Sequence, residues 1–128
     1  MRIDDYFELV RKMVAGCPAV HSSSVTYDKR SSYQGYIKGT LLFLDSSVLH
    51  FREFVDVETS VERYTYAYHY QRGDEFVFRY DNTEHYQELN LSTFPHHKHA
   101  GDEANVLLSP APVLADVLIE IENLVDIS

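Results

Sequence analysis

The chain has 128 residues, 45% of them apolar, enough for one domain (residues 1–128) with a real core and too few for a second of ordinary size. A formal charge of −9 argues against a broad nucleic-acid-coating surface, since phosphate contacts need Lys and Arg, but leaves room for a small basic site. The single cysteine, Cys17, excludes an intrachain disulfide and a cysteine-only zinc framework. At the start, Ile3, Tyr6, Phe7, Val10, Met13 and Val14 recur at three- and four-residue spacing, which predicts an amphipathic helix over residues 3–15. Asp4 and Asp5 suit its first turn, Arg11 and Lys12 its last, and Gly16 its stop. This acidic opening is not a signal peptide, and no apolar run approaches ~18 residues, so no membrane span and a cytoplasmic location are expected.

Residues 20–30, rich in Ser and Thr, predict an edge strand. Residues 33–44 predict a better one, with Ile37, Gly39, Leu41 and Phe43 on one face and Tyr36, Lys38, Thr40 and Leu42 on the other. After the turn Asp45-Ser46-Ser47 the chain returns over residues 48–58, where Glu53 and Phe54 break the polarity pattern. A β-bulge or a functional carboxylate turned inward would account for that. Residues 61–71 alternate most cleanly: Tyr64, Tyr66, Tyr68 and Tyr70 line one face, Arg63, Thr65, Ala67, His69 and Gln71 the other. Arg72-Gly73-Asp74 predicts a hairpin turn into a last strand over residues 75–81, which Asn82 would end. Residues 82–103 read as a polar, histidine-bearing loop. Ser109 and Pro110 then predict an N-cap and first helical residue, followed by an apolar stripe from Val113 to Val125. The expected class is α+β: an N-terminal helix, a twisted antiparallel meander of about five strands, a His-rich loop and a C-terminal helix packed on the sheet.

Three constellations bear chemistry. In extended backbone His97 and His99 point the same way and Lys98 the other. Such a His-x-His pair can bind a metal with a third ligand from His85, His69 or a carboxylate, can do acid–base work with Lys98 on an anion, or can be a solvated loop. Arg79 could share a sheet side with Arg52 or Arg63 as a phosphate fork, or pair with an acid such as Glu75 or Glu62. The tyrosine ladder is either half of a sheet–helix core or a base-stacking platform, with the core favoured. Cys17 reads as a small buried apolar residue. Phosphate-loop, dinucleotide and serine-hydrolase signatures are absent.

The segments Gly35-Tyr36-Ile37-Lys38-Gly39, Leu49-His50-Phe51-Arg52-Glu53-Phe54-Val55-Asp56, Tyr64-Thr65-Tyr66-Ala67-Tyr68-His69-Tyr70, Phe78-Arg79-Tyr80-Asp81-Asn82 and Phe94-Pro95-His96-His97-Lys98-His99 occur in this order. Together they resemble the TumE-like toxins of bacterial and archaeal toxin–antitoxin systems, over about residues 20–125. The resemblance implies a cytoplasmic toxin neutralised by a cognate antitoxin, and as a hypothesis a metal-independent endoribonuclease without a cofactor. His97 or His99 would then be general base or acid, with Lys98 and Arg79 stabilising phosphorane charge, His85 a secondary candidate and Glu53 the alternative base. Arg52, Arg63, Tyr80 and His96 are the candidate substrate contacts. RNA or the ribosome would be the target, and a homodimer is a further partner state. The competing readings are a non-catalytic protein-binding module and a metal-binding protein using the His-x-His loop.

Overall fold

The computed structural model describes residues 1–82, 95–109 and 111–125. Helix α1 (Ile3–Ala15) is followed by strands β1 (Val20–Lys29), β2 (Gln34–Phe43), β3 (Ser47–Asp56), β4 (Glu62–Arg72), β5 (Glu75–Asp81), β6 (His97–Ala100) and β7 (Asp102–Leu108), then by helix α2 (Leu114–Leu124). The strands form one antiparallel sheet in sequence order, with β1 and β7 at its edges. The α+β class and both helices match expectation, but among the described residues the sheet has seven strands where about five were expected.

Of the two additional strands, β6 lies in the stretch read as loop and β7 begins at its end and runs on to Leu108. Gly101 turns the chain between β6 and β7 at φ +72°, a left-handed conformation open to glycine at little steric cost. The hairpin therefore needs no multi-residue turn signal, and its strands, His-Lys-His-Ala and Asp-Glu-Ala-Asn-Val-Leu-Leu, hold one β-branched residue, Val106, and so carry little of the pattern that marks a strand. The C-terminal helix also begins later than expected. Val113 is its N-cap residue, its N–H donating to Asp116 Oδ2 at 3.2 Å, while Ser109 instead accepts a bond from the Ala111 N–H at 3.1 Å.

Both helices contribute their apolar stripes to the core on one face of the sheet. Ile3, Tyr6, Phe7, Val10 and Val14 of α1 and Leu114, Val117, Leu118 and Ile121 of α2 join Ile37, Leu41, Leu49, Phe51, Tyr66, Tyr68, Tyr70 and Phe78. At Gly35 a Cβ would come within 2.6 Å of the Phe7 ring and 2.8 Å of Ile3, so the missing side chain is what admits α1. Cys17 is buried, with its thiol 3.2 Å from Glu122 Oε1. Tyr66, Tyr68 and Tyr70 are 1% exposed or less, which decides the ladder in favour of core, with hydroxyls reaching polar partners as buried tyrosines require.

A bulge accounts for the unusual patterning of β3 and β4. The register slips between Phe54 and Val55, opposite Tyr64, so that Val55 pairs with Arg63 and Phe54 with Thr65. Tyr64 is thereby set apart from its three successors and lies against Phe54, on the face away from the helices. Glu53 keeps the inward phase of its strand and is buried.

Candidate functional site

Away from the helices, the register aligns polar side chains in rows across the strands. One row runs Thr40, His50, His69, Arg79, His99 through β2 to β6. The next runs Lys38, Arg52, Ala67, Asp81, His97. Successive rows lie about 6.7 Å apart, two residues along each strand. Together they create a cationic face on an acidic protein.

Lys38, Thr40, His50, Arg52, His69 and Arg79 line a pocket of about 190 Å³, with Gly39 and Ala67 among its other residues. Among the described residues, no carboxylate lines it. Among the described residues, neither Lys38 nor Arg52 has a carboxylate within ion-pair distance, and both are exposed. His50 Nδ1 is 3.2 Å from Thr40 Oγ1, and the His50 and His69 rings are 6.4 Å apart.

Asp81 anchors the end of this face on the β6 side. Its Oδ2 accepts a 2.8 Å charge-assisted bond from Arg79 Nε, and its Oδ1 lies 2.7 Å from His97 Nε2. His99 Nε2 lies 3.6 Å from Oδ2. His97 Nδ1 is 2.9 Å from the Pro95 carbonyl oxygen, so each His97 nitrogen lies close to an oxygen. Asp81, His97 and His99 are all buried. Their three ligand atoms lie within 4.8 Å of one another, so the group could hold a metal ion. Against that use, Arg79 already occupies one carboxylate oxygen and sets a fixed positive charge beside the group.

The alternation read from the sequence holds here: His97 and His99 share one face and Lys98 takes the other. Lys98 Nζ lies 3.5 Å from Glu120 of α2 and 4.8 Å from the centre of the Tyr80 ring, on the helix side. Tyr80 also faces α2, donating to Glu120 Oε1 at 2.7 Å. Arg63 was expected on the side of Arg52 and Arg79, but the bulge turns it toward the helices. It donates to the Pro112 and Ala111 carbonyls at 2.7 and 2.9 Å and to the Tyr68 hydroxyl at 3.1 Å.

Glu53 receives the Tyr6 and Tyr68 hydroxyls, each at 2.5 Å. It therefore joins α1 to the sheet, far from the His-Arg face. Burial first, and then the Glu53 charge, push the Tyr6 and Tyr68 hydroxyls well above the usual phenol range. His96 stacks on Tyr66 at 5.7 Å, its Nδ1 2.8 Å from the Tyr66 hydroxyl. Desolvation, with help from Arg63 and His97, lowers its pKa. Lys98, Tyr80, Arg63, Glu53 and His96 are thus not brought together with Arg52, Arg79, His97 and His99, and His85 lies outside the described residues.

Three members of the face went unselected in the sequence, and His69 was named there only as a possible third metal ligand. Asp81 sits within the Phe78–Asn82 segment, His50 stands at an outward-facing strand position, and Lys38 lies on the outward face of its strand. Their signal is register alone, which appears only once neighbouring strands are aligned.

A family model described as Toxin TumE matches residues 7–125, nearly the whole chain, and the chain belongs to this toxin family. Membership places it as a toxin-family protein of toxin–antitoxin systems and implies a cognate antitoxin as its partner. No curated protein and no solved structure matches it. Among the described residues, no helix is long and apolar enough to cross a membrane.

Proposed function

We propose that this toxin cleaves RNA in the cytoplasm without a metal, free or on the ribosome, at the pocket on the open sheet face. The observation that carries the reading is that pocket: among the described residues, three permanent cations and two imidazoles line it and no carboxylate does, in a protein of charge −9. Such a lining suits a phosphodiester, because Arg and Lys bind the anionic oxygens and stabilise the added charge of a phosphorane.

In this mechanism Lys38, Arg52 and Arg79 hold the phosphate. His69 and His99 flank Arg79 in one cross-strand row, one on either side, which supports an acid–base pair. One imidazole takes the proton of the ribose 2′-hydroxyl, whose oxygen attacks the adjacent phosphorus. The other gives a proton to the departing 5′-oxygen, leaving a 2′,3′-cyclic phosphate and a 5′-hydroxyl. Asp81 holds Arg79 and His97 in place from behind, and is a positioning residue. Lys98 and Glu53 are left out of this mechanism, since each is engaged on the helix side.

Single alanine substitutions at Arg79, His69 and His99, measured as growth arrest on induction and as RNA cleavage in EDTA, test the reading. Cleavage is expected to fall about 100-fold or more in each, with the far-UV circular dichroism unchanged. Full cleavage in all three folded variants would sink the catalytic assignment. Toxicity that survives without any RNA cleavage would instead favour a non-catalytic binding module. The clustering of Asp81, His97 and His99 ligand atoms supports metal binding as a second reading. Tag-free protein that melts at a higher temperature with added zinc, and loses cleavage in EDTA, would favour it.

A further inference from the structure

Beside the cationic rows lies a third row of a different kind. Tyr36 and Phe54 pair across β2 and β3, and their rings stack at 4.3 Å with 9° between planes. Tyr64, set outward by the bulge, meets the Phe54 edge at 5.3 Å. Tyr36 and Tyr64 are 41% and 44% exposed, and Arg30 lies 4.8 Å over the Tyr36 ring. Lys38 and Arg52 are each two residues from this row along their own strands, on the same face. A fourth row beyond it carries Gln34, Asp56 and Glu62.

We propose that Tyr36, Phe54 and Tyr64 form a nucleobase-stacking subsite for single-stranded RNA whose phosphate occupies the adjoining Lys38–Arg52–Arg79 pocket. The inference rests on the phosphate reading of that pocket and adds the substrate's strandedness and orientation. The rows are about 6.7 Å apart, close to the span from a nucleotide's phosphate to its base. Aromatic rings beside a cationic track are what single-strand binders use, because every base has a π-face, and here the incoming base displaces the exposed Arg30 from over the Tyr36 ring. Charge sets the direction. The acidic fourth row repels phosphate, so the sugar–phosphate chain runs along the Lys38–Arg52 side and the base points toward Tyr36 and Tyr64. A duplex hides its base faces in the stack and cannot use this surface.

The chain has no tryptophan, so Tyr36→Trp introduces a single indole emitter at the platform. The probes are a 2′-O-methyl hexanucleotide, which cannot be cut through its 2′-oxygen, and an abasic chain of equal length. The base-bearing probe should quench the indole emission of the Tyr36→Trp variant, the abasic one should not, and wild type should prefer the former by about tenfold. Tyr36→Ala and Tyr64→Ala should abolish that preference, and Tyr36→Phe should keep it. Equal affinity of wild type for both probes, with abasic binding still lost in Arg52→Ala, would overturn the platform and leave the phosphate pocket standing. Failure of both probes to bind wild type would overturn the platform and the phosphate pocket together. Tyr36→Ala that binds RNA normally but escapes antitoxin neutralisation would make the patch a protein interface and overturn the proposal.

Discussion

Asp81 shows how much one side chain can organise. It is 2% exposed, yet it bonds Arg79 and contacts His97, and a buried carboxylate keeps its charge only with such partners. Out of bulk water, its hold on Arg79 is screened less than a surface pair would be. Asp81→Asn keeps the shape and removes the charge, so Arg79 and His97 lose their common anchor. RNA cleavage by this variant is expected to drop about tenfold or more, while Asp28→Asn, in an exposed pair with Arg30, leaves it unchanged. Wild-type cleavage by Asp81→Asn at normal thermal stability would remove Asp81 from the mechanism.

Among the elements, β2 is tightly packed at its two glycines, Gly35 and Gly39. A Cβ at Gly39 would lie 2.5 Å from Phe51 Cε1 and 3.0 Å from Val25 Cγ2, so the residue has to be glycine for Phe51 to cross the strand. The Phe51 ring is buried and has little room to retreat. Gly39→Ala is expected to cost about 1–3 kcal/mol, read as a lower urea midpoint at unchanged slope. An unchanged midpoint would show that β1 and β3 yield more easily than their contacts suggest. Most elements were legible in the sequence: α1 and β5 keep their expected bounds, and β1 to β4 shift by two residues or fewer, because period-two and helical patterns survive any tertiary context. The β6–β7 hairpin was not legible. Strand β6 has only four residues, β7 opens on polar ones, and the turn between them is a single glycine.

In the whole molecule, buried phenols and the pocket cations lie on opposite faces. The helix side holds tyrosines whose hydroxyls end on Glu53, Ser47 and Glu120, and the open side holds Lys38, Arg52 and Arg79. Desolvation raises the pKa of Tyr66 to about 12 and lifts Tyr6, Tyr68 and Tyr80 above the usual phenol value of 10.0 as well. The folded state thus resists forming phenolates that the unfolded chain forms near pH 10. Stability from these groups is fully present below about pH 10 and declines as pH rises through about 12. Urea midpoints followed from pH 8 to about 12 should fall steeply above pH 10; a flat profile would mean that the hydroxyls are better solvated than their burial implies.

The sequence by itself determined the two helices, the antiparallel meander, the opposition of His97 and His99 to Lys98, and the family to which the chain belongs. Those properties depend on local periodicity and on motifs read along the chain. Tertiary structure alone decided which charges meet. Cross-strand register joined Lys38, Arg52, Arg79 and two histidines into one pocket, and one bulged residue turned Arg63 to the helices and Tyr64 outward. The reason is that a strand's own pattern fixes a side chain's face, whereas its neighbours depend on register and bulges set by pairing with strands distant in sequence.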